Sequence, residues 1–237
     1  MAHRIMLVPA GFGVGLSSIA LGLIHACQQQ GINVGRFKPI SQPTRNVRAY
    51  VEQTINTDDT TSAISLAYVE QQMGEGRNDI VLEQIVENFN ALDKSHDVVI
   101  IEGLIPTTRQ PYAGRINREV AQALSAEIVL VAAQDNDSLE EFEDRIEMSA
   151  ETFGGIKNAK LIGCIINKIN SPDKDEFGLL PHEKEFNQTL DLAPLTNLSL
   201  FKNRHFNLLG TVPWEMELIA PRVIDIANYL NADIINA

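Results

Sequence analysis

The chain is short of cysteine, of positive charge, of long apolar runs and of metal-ligand spacings, and each shortage excludes something. Two cysteines in 237 residues cannot staple a disulfide-rich scaffold. Cys27 and Cys164 fall in apolar stretches, an expected helix and an expected strand, and read as reduced core thiols. Lys and Arg number 19 against 31 Asp and Glu, for a net charge of −12. That balance argues against nucleic acid or an anionic membrane surface as the main partner. No apolar run reaches the ~18 residues of a membrane span. The five histidines show no metal spacing, and Met-Ala-His-Arg leads into an apolar run rather than a signal peptide. The expected location is the cytoplasm.

What is present is ordinary apolar content, 44% of residues, enough for a good-sized core in one α/β domain. The chain is organised around Arg4–Ser18. Ile5 to Val8 is a short apolar run suited to a strand buried on both faces. Gly11, Gly13 and Gly15 follow, and Ser17 and Ser18 open a helical pattern. Strand, glycine-rich turn and helix in that order make an anion cradle. Glycine lets the backbone approach a phosphate, and the helix start offers free N–H groups and a partial positive charge.

The loop itself lacks one residue. A phosphate-binding loop reads G-K-[ST] at the helix start, its lysine neutralising the terminal phosphates. Here the triplet is Gly15-Leu16-Ser17. The cradle and the magnesium-type hydroxyl survive, but the lysine is a leucine. One charge-assisted hydrogen bond contributes about 1.5–3 kcal/mol, so affinity falls roughly ten- to a hundredfold without being abolished. Phosphoryl transfer suffers more, because stabilising transition-state charge is most of that catalysis. Binding without turnover is the expectation, beside a bare glycine turn with no ligand.

Along the chain, apolar runs and helical patterns alternate. Helices are expected over 17–30, 60–73, 79–92, with Ile80, Ile85, Val86 and Phe89 on one stripe, and 221–231. Strands are expected over 34–39, 98–101, 127–132, 161–166 and 208–212. An amphipathic helix carrying Leu139, Phe142, Ile146 and Phe153 starts at a capping box, Ser138-x-x-Glu141. Its acids Glu140, Glu143, Asp144 and Glu147 read as a solvated face. No internal repeat or low-complexity tract occurs. The alternation implies a doubly wound, mostly parallel sheet with helices on both faces, and ligands outside the C-terminal strand ends. Residues 169–207 are polar, contain Pro172, Pro181 and Pro194, and are too long for an ordinary connection. They read as an insertion.

Several polar residues fall at strand ends. Lys38 closes the second strand and is placed to supply the missing cation, with a structural role open beside that one. Glu102 ends the third strand before a glycine, from where a carboxylate reaches a metal-bound phosphate or serves as a cap. Asn167-Lys168 is placed to face a base or to close a turn. Asp58 and Asp59 suit a helix N-cap better than a metal pair. Trp214, the one tryptophan, reads as a core or pocket-wall residue.

Phe37-Lys38-Pro39, Glu102-Gly103, Asn167 and Pro213-Trp214 resemble the landmarks of dethiobiotin synthetase and its cobyrinic acid a,c-diamide synthase relatives, which are P-loop NTPase-like. A closer resemblance, over nearly the whole chain, is to the N-terminal region of long bacterial phosphate acetyltransferases. That region shares the lysine-less Gly-Leu-[ST]-Ser loop and the Phe-Lys-Pro-Ile strand end. Its further segments read here Ile101–Leu104, Leu124–Val129, Arg145-Ile146-Glu147, Phe153-Gly154-Gly155, Ile166-Asn167-Lys168, Val212-Pro213-Trp214 and Leu230–Asn236. Mismatches concentrate in residues 43–62 and 170–206.

The resemblance implies that residues 1–237 form a single degenerate P-loop domain, without the middle and C-terminal acetyltransferase domains of the long enzyme. Acetyl transfer between acetyl-CoA and phosphate belongs to the C-terminal domain. The N-terminal region is associated with stabilising the hexamer and with the response to NADH, ATP, pyruvate and phosphoenolpyruvate. By the same resemblance Gly11, Phe12, Gly13, Val14, Gly15, Leu16, Ser17 and Ser18 cradle phosphates. Lys38 and Glu102 lie near the terminal phosphate, Asn167 and Pro213 near an adenine, and Ser17 and Glu102 are the candidate magnesium ligands. No catalytic residue is expected. Three readings follow: a regulatory and structural domain sensing a small-molecule effector such as ATP or NADH, an ATP-dependent synthetase of the dethiobiotin type, and an architectural domain without ligand.

Overall fold

The computed structural model describes residues 2–42, 63–107, 110–134, 137–171 and 192–215. Strand β1 (His3–Pro9) runs into helix α1 (Leu16–Gln29), then β2 (Val34–Phe37), β3 (Ile40–Ser41) and β4 (Ile64–Ser65). Helices α2 (Leu66–Gly74) and α3 (Asn78–Ser95) lead to β5 (Val98–Glu102). Helix α4 (Ala113–Ala123), β6 (Glu127–Ala133), α5 (Leu139–Glu151) and β7 (Leu161–Ile169) follow. A short helix α6 (Ala193–Thr196), a 3-10 turn (Ser199–Lys202) and β8 (Asn207–Pro213) complete the described order. Six strands form one parallel sheet in the order β2-β5-β1-β6-β7-β8, and β3 pairs β4 apart from it.

Alternation in β1 explains the two layers. Met6 and Val8 point to one core and Leu7 to the other. The first core takes Val81, Ile85, Phe89 and Leu92 of α3, Ile116 and Val120 of α4, and Phe142, Ile146 and Ala150 of α5. The second takes Leu16, Ile19, Ala20 and Ile24 of α1. With helices on both faces the strands must be apolar throughout, which is why they read as continuous runs. The α/β doubly wound expectation holds. No helix among the described residues is long and apolar enough to cross a membrane.

Several expectations need correction. The helix expected from Thr60 begins at Leu66, because Ile64 and Ser65 pair with Ile40 and Ser41 and Ser65 caps the helix through Tyr68 N–H. Its first residues, 60–62, lie outside the described residues, as do Asp58, Asp59 and the 221–231 helix. Strand β2 stops at Phe37, not Pro39. Helix α4 was not anticipated. Ile80 and Leu139 face outward, at 40% and 39% exposure, and Val81 takes the place on the stripe assigned to Ile80. Phe153 packs in the core from beyond the end of α5. Glu143 is more than solvated: it accepts from Leu200 N–H at 2.8 Å and from Ser199 Oγ, tethering the 3-10 turn. Strand β7 runs on to Ile169, and Leu195, Leu198, Leu200 and Phe206 are buried in the main core, so both ends of the expected 169–207 insertion belong to the fold, while residues 172–191 lie outside the described residues. Cys164 is fully buried, which pushes its thiol up to about 12, whereas Cys27 is half-buried. The Ser138–Glu141 capping box is formed in both directions.

Candidate functional site

Parallel register brings the polar strand ends together. Leu7 of β1 lies opposite Glu102, Pro9 opposite Val131, Phe37 opposite Ile101 and Ala133 opposite Asn167. The turn after Pro9 therefore emerges between Glu102 on one side and Asn167 on the other. Gly103 is needed to close this edge, since a Cβ there would lie 2.8 Å from Leu7 O.

The glycine turn depends on backbone conformations that L side chains avoid. Gly11, Gly13 and Gly15 have φ of 139°, 62° and 77°, a region that costs other residues about 1–2 kcal/mol each. Gly15 is the N-cap of α1, and it lies so close to β7 that a Cβ would be 2.5 Å from Asn167 Nδ2. None of the backbone N–H groups from Gly11 to Ser18 has a hydrogen-bond partner among the described residues, and α1 has no side-chain cap. Unpaired amides of this kind at a helix start are able to receive an anion.

Three side chains hold the turn by its carbonyls instead. Arg145 of α5 donates to Ala10 O at 2.7 Å and Ala133 O at 2.8 Å, and pairs with Asp137 at 2.5 Å. Asn167 Nδ2 donates to Val14 O at 2.8 Å, and Lys168 Nζ to Gly13 O at 2.6 Å. Lys168 has φ of 58°, an uncommon conformation for a non-glycine residue and one that directs its chain back over the loop. Carbonyls are tied down while amides stay free.

Leu16 is 1% exposed and packs with Leu7, Ile19 and Ile24 in the core beneath α1. It is an anchor of the helix, and burying such a side chain contributes about 1.5–3 kcal/mol. Val14 is buried likewise, while Phe12 stands out at the loop tip, 65% exposed. Ser18 is exposed, and Ser17 is buried with its hydroxyl donating to Glu102 Oε1.

Glu102 is the centre of a charged cluster. Arg36 Nη2 donates to its Oε2 at 2.8 Å, and Lys38 Nζ lies 3.7 Å from its Oε1. Arg36 and Lys38 occupy alternate positions along the chain, so both reach the α1 side of the sheet. Burial by itself would push the Glu102 carboxyl up. The charges of Lys38 and Arg36, with the hydrogen bonds from Arg36 and Ser17, outweigh it and hold the group below its ordinary value. The carboxylate is ionised and encircled by donors.

Of the residues singled out from sequence, Gly11 to Ser18, Lys38, Glu102 and Asn167 converge at one edge. Pro213 closes β8 opposite Ile169, two residues beyond Asn167, and Trp214 N–H bonds Ile169 O at 2.9 Å. Arg36 and Arg145 were missed as site residues. An arginine inside a four-residue strand, Val-Gly-Arg-Phe, demands a buried carboxylate, and that was the available signal. Arg145 on a helix otherwise rich in acids gave none.

Known proteins resemble this chain in sequence along its length. The AAA_26 family model, described as an AAA domain, matches residues 3–222. The phosphate acetyltransferase of Escherichia coli strain K12 is 38% identical over 245 aligned residues, covering 100% of this chain and 34% of that protein. Its namesake in Haemophilus influenzae is 39% identical, again over 100% of this chain and 34% of the relative. The chain thus spans about a third of the length of the curated relatives it matches. Among solved structures, chloroplast FtsY from Physcomitrella patens aligns with a TM-score of 0.42 at 16% identity, over 71% of this chain and 50% of that one.

Proposed function

The chain belongs to the AAA_26 family of AAA domains, and from that premise we propose that it is the regulatory and structural N-terminal part of a phosphate acetyltransferase. Its glycine loop binds the phosphates of a nucleotide effector, ATP or NADH, and does not turn it over. Acetyl transfer between acetyl-CoA and phosphate is the work of a C-terminal domain in the same polypeptide, and this domain supports the cytoplasmic homo-oligomer, a hexamer in the long enzyme.

The observation that carries the reading is the divergence between Leu16 and its neighbours. Leu16 is sunk in apolar core at 1% exposure, where no charged group reaches a phosphate. The left-handed glycines, the unpaired amides and the Ser17–Glu102 pair are all retained. A loop that keeps its binding geometry and gives up the charge for phosphoryl transfer suits recognition.

The test is calorimetric titration of the chain with ATP, ADP and NADH, with phosphate release followed in parallel. Saturable binding without released phosphate is expected. Gly15→Asp, whose Cβ would collide with Asn167, abolishes it while a thermal melt checks that the variant is folded. Steady phosphate release overturns the reading.

A further inference from the structure

At the end of β7 two consecutive side chains fasten the glycine loop. We infer that Asn167, with Lys168 next to it, is a positioning residue that aims the Val14 and Gly15 N–H groups at the ligand; this rests on the reading of the loop as an anion site. The resemblance places Asn167 near an adenine, whereas its side-chain amide is committed to the loop.

Successive residues of a strand send their side chains to opposite faces, yet Asn167 and Lys168 both reach the one loop. Lys168 takes φ of 58°, and the pairing of β7 with β8 shifts register between Ile166 and Ile169. An irregularity of that kind re-aims side chains. Asn167 Nδ2 then donates to Val14 O at 2.8 Å and Lys168 Nζ to Gly13 O at 2.6 Å. Only the NH2 end of an asparagine side chain can serve a carbonyl, so Val14 settles which way the amide lies. Asn167 is 7% exposed, and a Cβ on Gly15 would lie 2.5 Å from its Nδ2. The amide has little room to turn toward another partner.

A trans peptide points its N–H opposite to its C=O, and no cis bond occurs among the described residues. Fastening Gly13 O therefore turns Val14 N–H away from β7, and fastening Val14 O turns Gly15 N–H the same way. Carbonyls of an extended chain alternate sides. Here two in succession face one strand end, so two N–H groups in succession face away from it. Such a pair forms the concave donor arrangement that receives an anion. Reading an adenine edge takes both ends of an asparagine side chain at once, whereas aiming the loop takes the NH2 end alone. Loss of Asn167 thus weakens any phosphate-bearing anion, whether or not it carries a base.

Calorimetric titration of the intact chain with ATP and with inorganic triphosphate, wild type against Asn167→Ala, tests this. The substitution should weaken both ligands alike, about five- to tenfold, the contribution of about one hydrogen bond. Weakening of ATP alone makes Asn167 a base reader and overturns the inference, as does unchanged binding of both. If neither ligand binds the wild type, the anion reading of the loop falls and takes the inference with it. Should the variant lose its cooperative melt, the NMR spectrum of the wild type decides. Inorganic triphosphate should shift the Val14 and Gly15 amides and the Asn167 side-chain amide together. Loop amides that shift while the Asn167 side chain stays unmoved overturn the inference.

Discussion

Two buried carboxylates at opposite ends of the sheet are each paired with an arginine, yet they are built for different ends. Asp93 of α3 accepts from Ala2 N–H at 3.1 Å and from Arg4 Nε at 3.0 Å. Arg4 spends its remaining reach on Leu124 O at 2.8 Å and lies over the Phe89 ring, 5.3 Å from its centroid. One charge meets one charge, and the donors around them end on local acceptors. This clasp ties the start of β1 to the ends of α3 and α4. Glu102 meets two cations and a hydroxyl. Asp93 is a fastener between elements, whereas Glu102 gathers donors from β2, from the residue after it and from α1 at the edge where the strands end.

The largest effect should come from breaking the balanced side. Asp93→Ala strands Arg4 and Ala2 N–H, and urea denaturation should show a loss of about 3 kcal/mol. Anion binding by the folded fraction should not change. Leu16→Ala should cost about 2–3 kcal/mol in the same assay, as a core truncation does. A loss near zero would mean that Leu16 is not the anchor of α1.

Acid titration treats both carboxylates at once. Hydrogen bonding by Arg4 holds Asp93 below 3.8, and the cation cluster outweighs burial to hold Glu102 below 4.5. For groups depressed in the folded state, stability is complete above the unfolded values and is lost as pH falls through the folded ones. Thermal midpoints should therefore be level down to about pH 5 and fall below about pH 4, and Asp93→Asn should flatten part of that limb. The smallest effect sharpens the contrast. Lys38, 25% exposed and 3.7 Å from its partner, is dispensable to the fold, so Lys38→Gln should shift stability by less than about 0.5 kcal/mol while weakening anion binding. A large stability loss there would make Lys38 a fastener too.

Local signals were legible where one segment carries its own pattern. The β1–glycine–α1 unit, the parallel alternation and the Ser138–Glu141 capping box could be read because each rests on residues within a few positions of one another. Helix α4 was not legible. Ala113, Ile116 and Val120 form its apolar stripe, but arginines and polar residues separate them and no side-chain cap marks its start. The β3–β4 pair could not be read either, since Ile40 meets Ile64 across 24 residues of sequence and two-residue strands carry no period. At the site, strand-end placement brought Lys38, Glu102 and Asn167 together correctly. The partners of Glu102 depended on face and register: Arg36 becomes a site residue only once β2 lies beside β5 and points it toward α1.

The most direct measurement is the amide NMR spectrum of Gly11 to Ser18 during titration with ATP in EDTA. An anion-binding loop predicts progressive, saturable shifts of these amides, with the Asn167 side-chain amide moving alongside them and residues of the Asp93 clasp staying still. Unmoved loop amides at millimolar ATP, or shifts spread evenly over the chain, would contradict it.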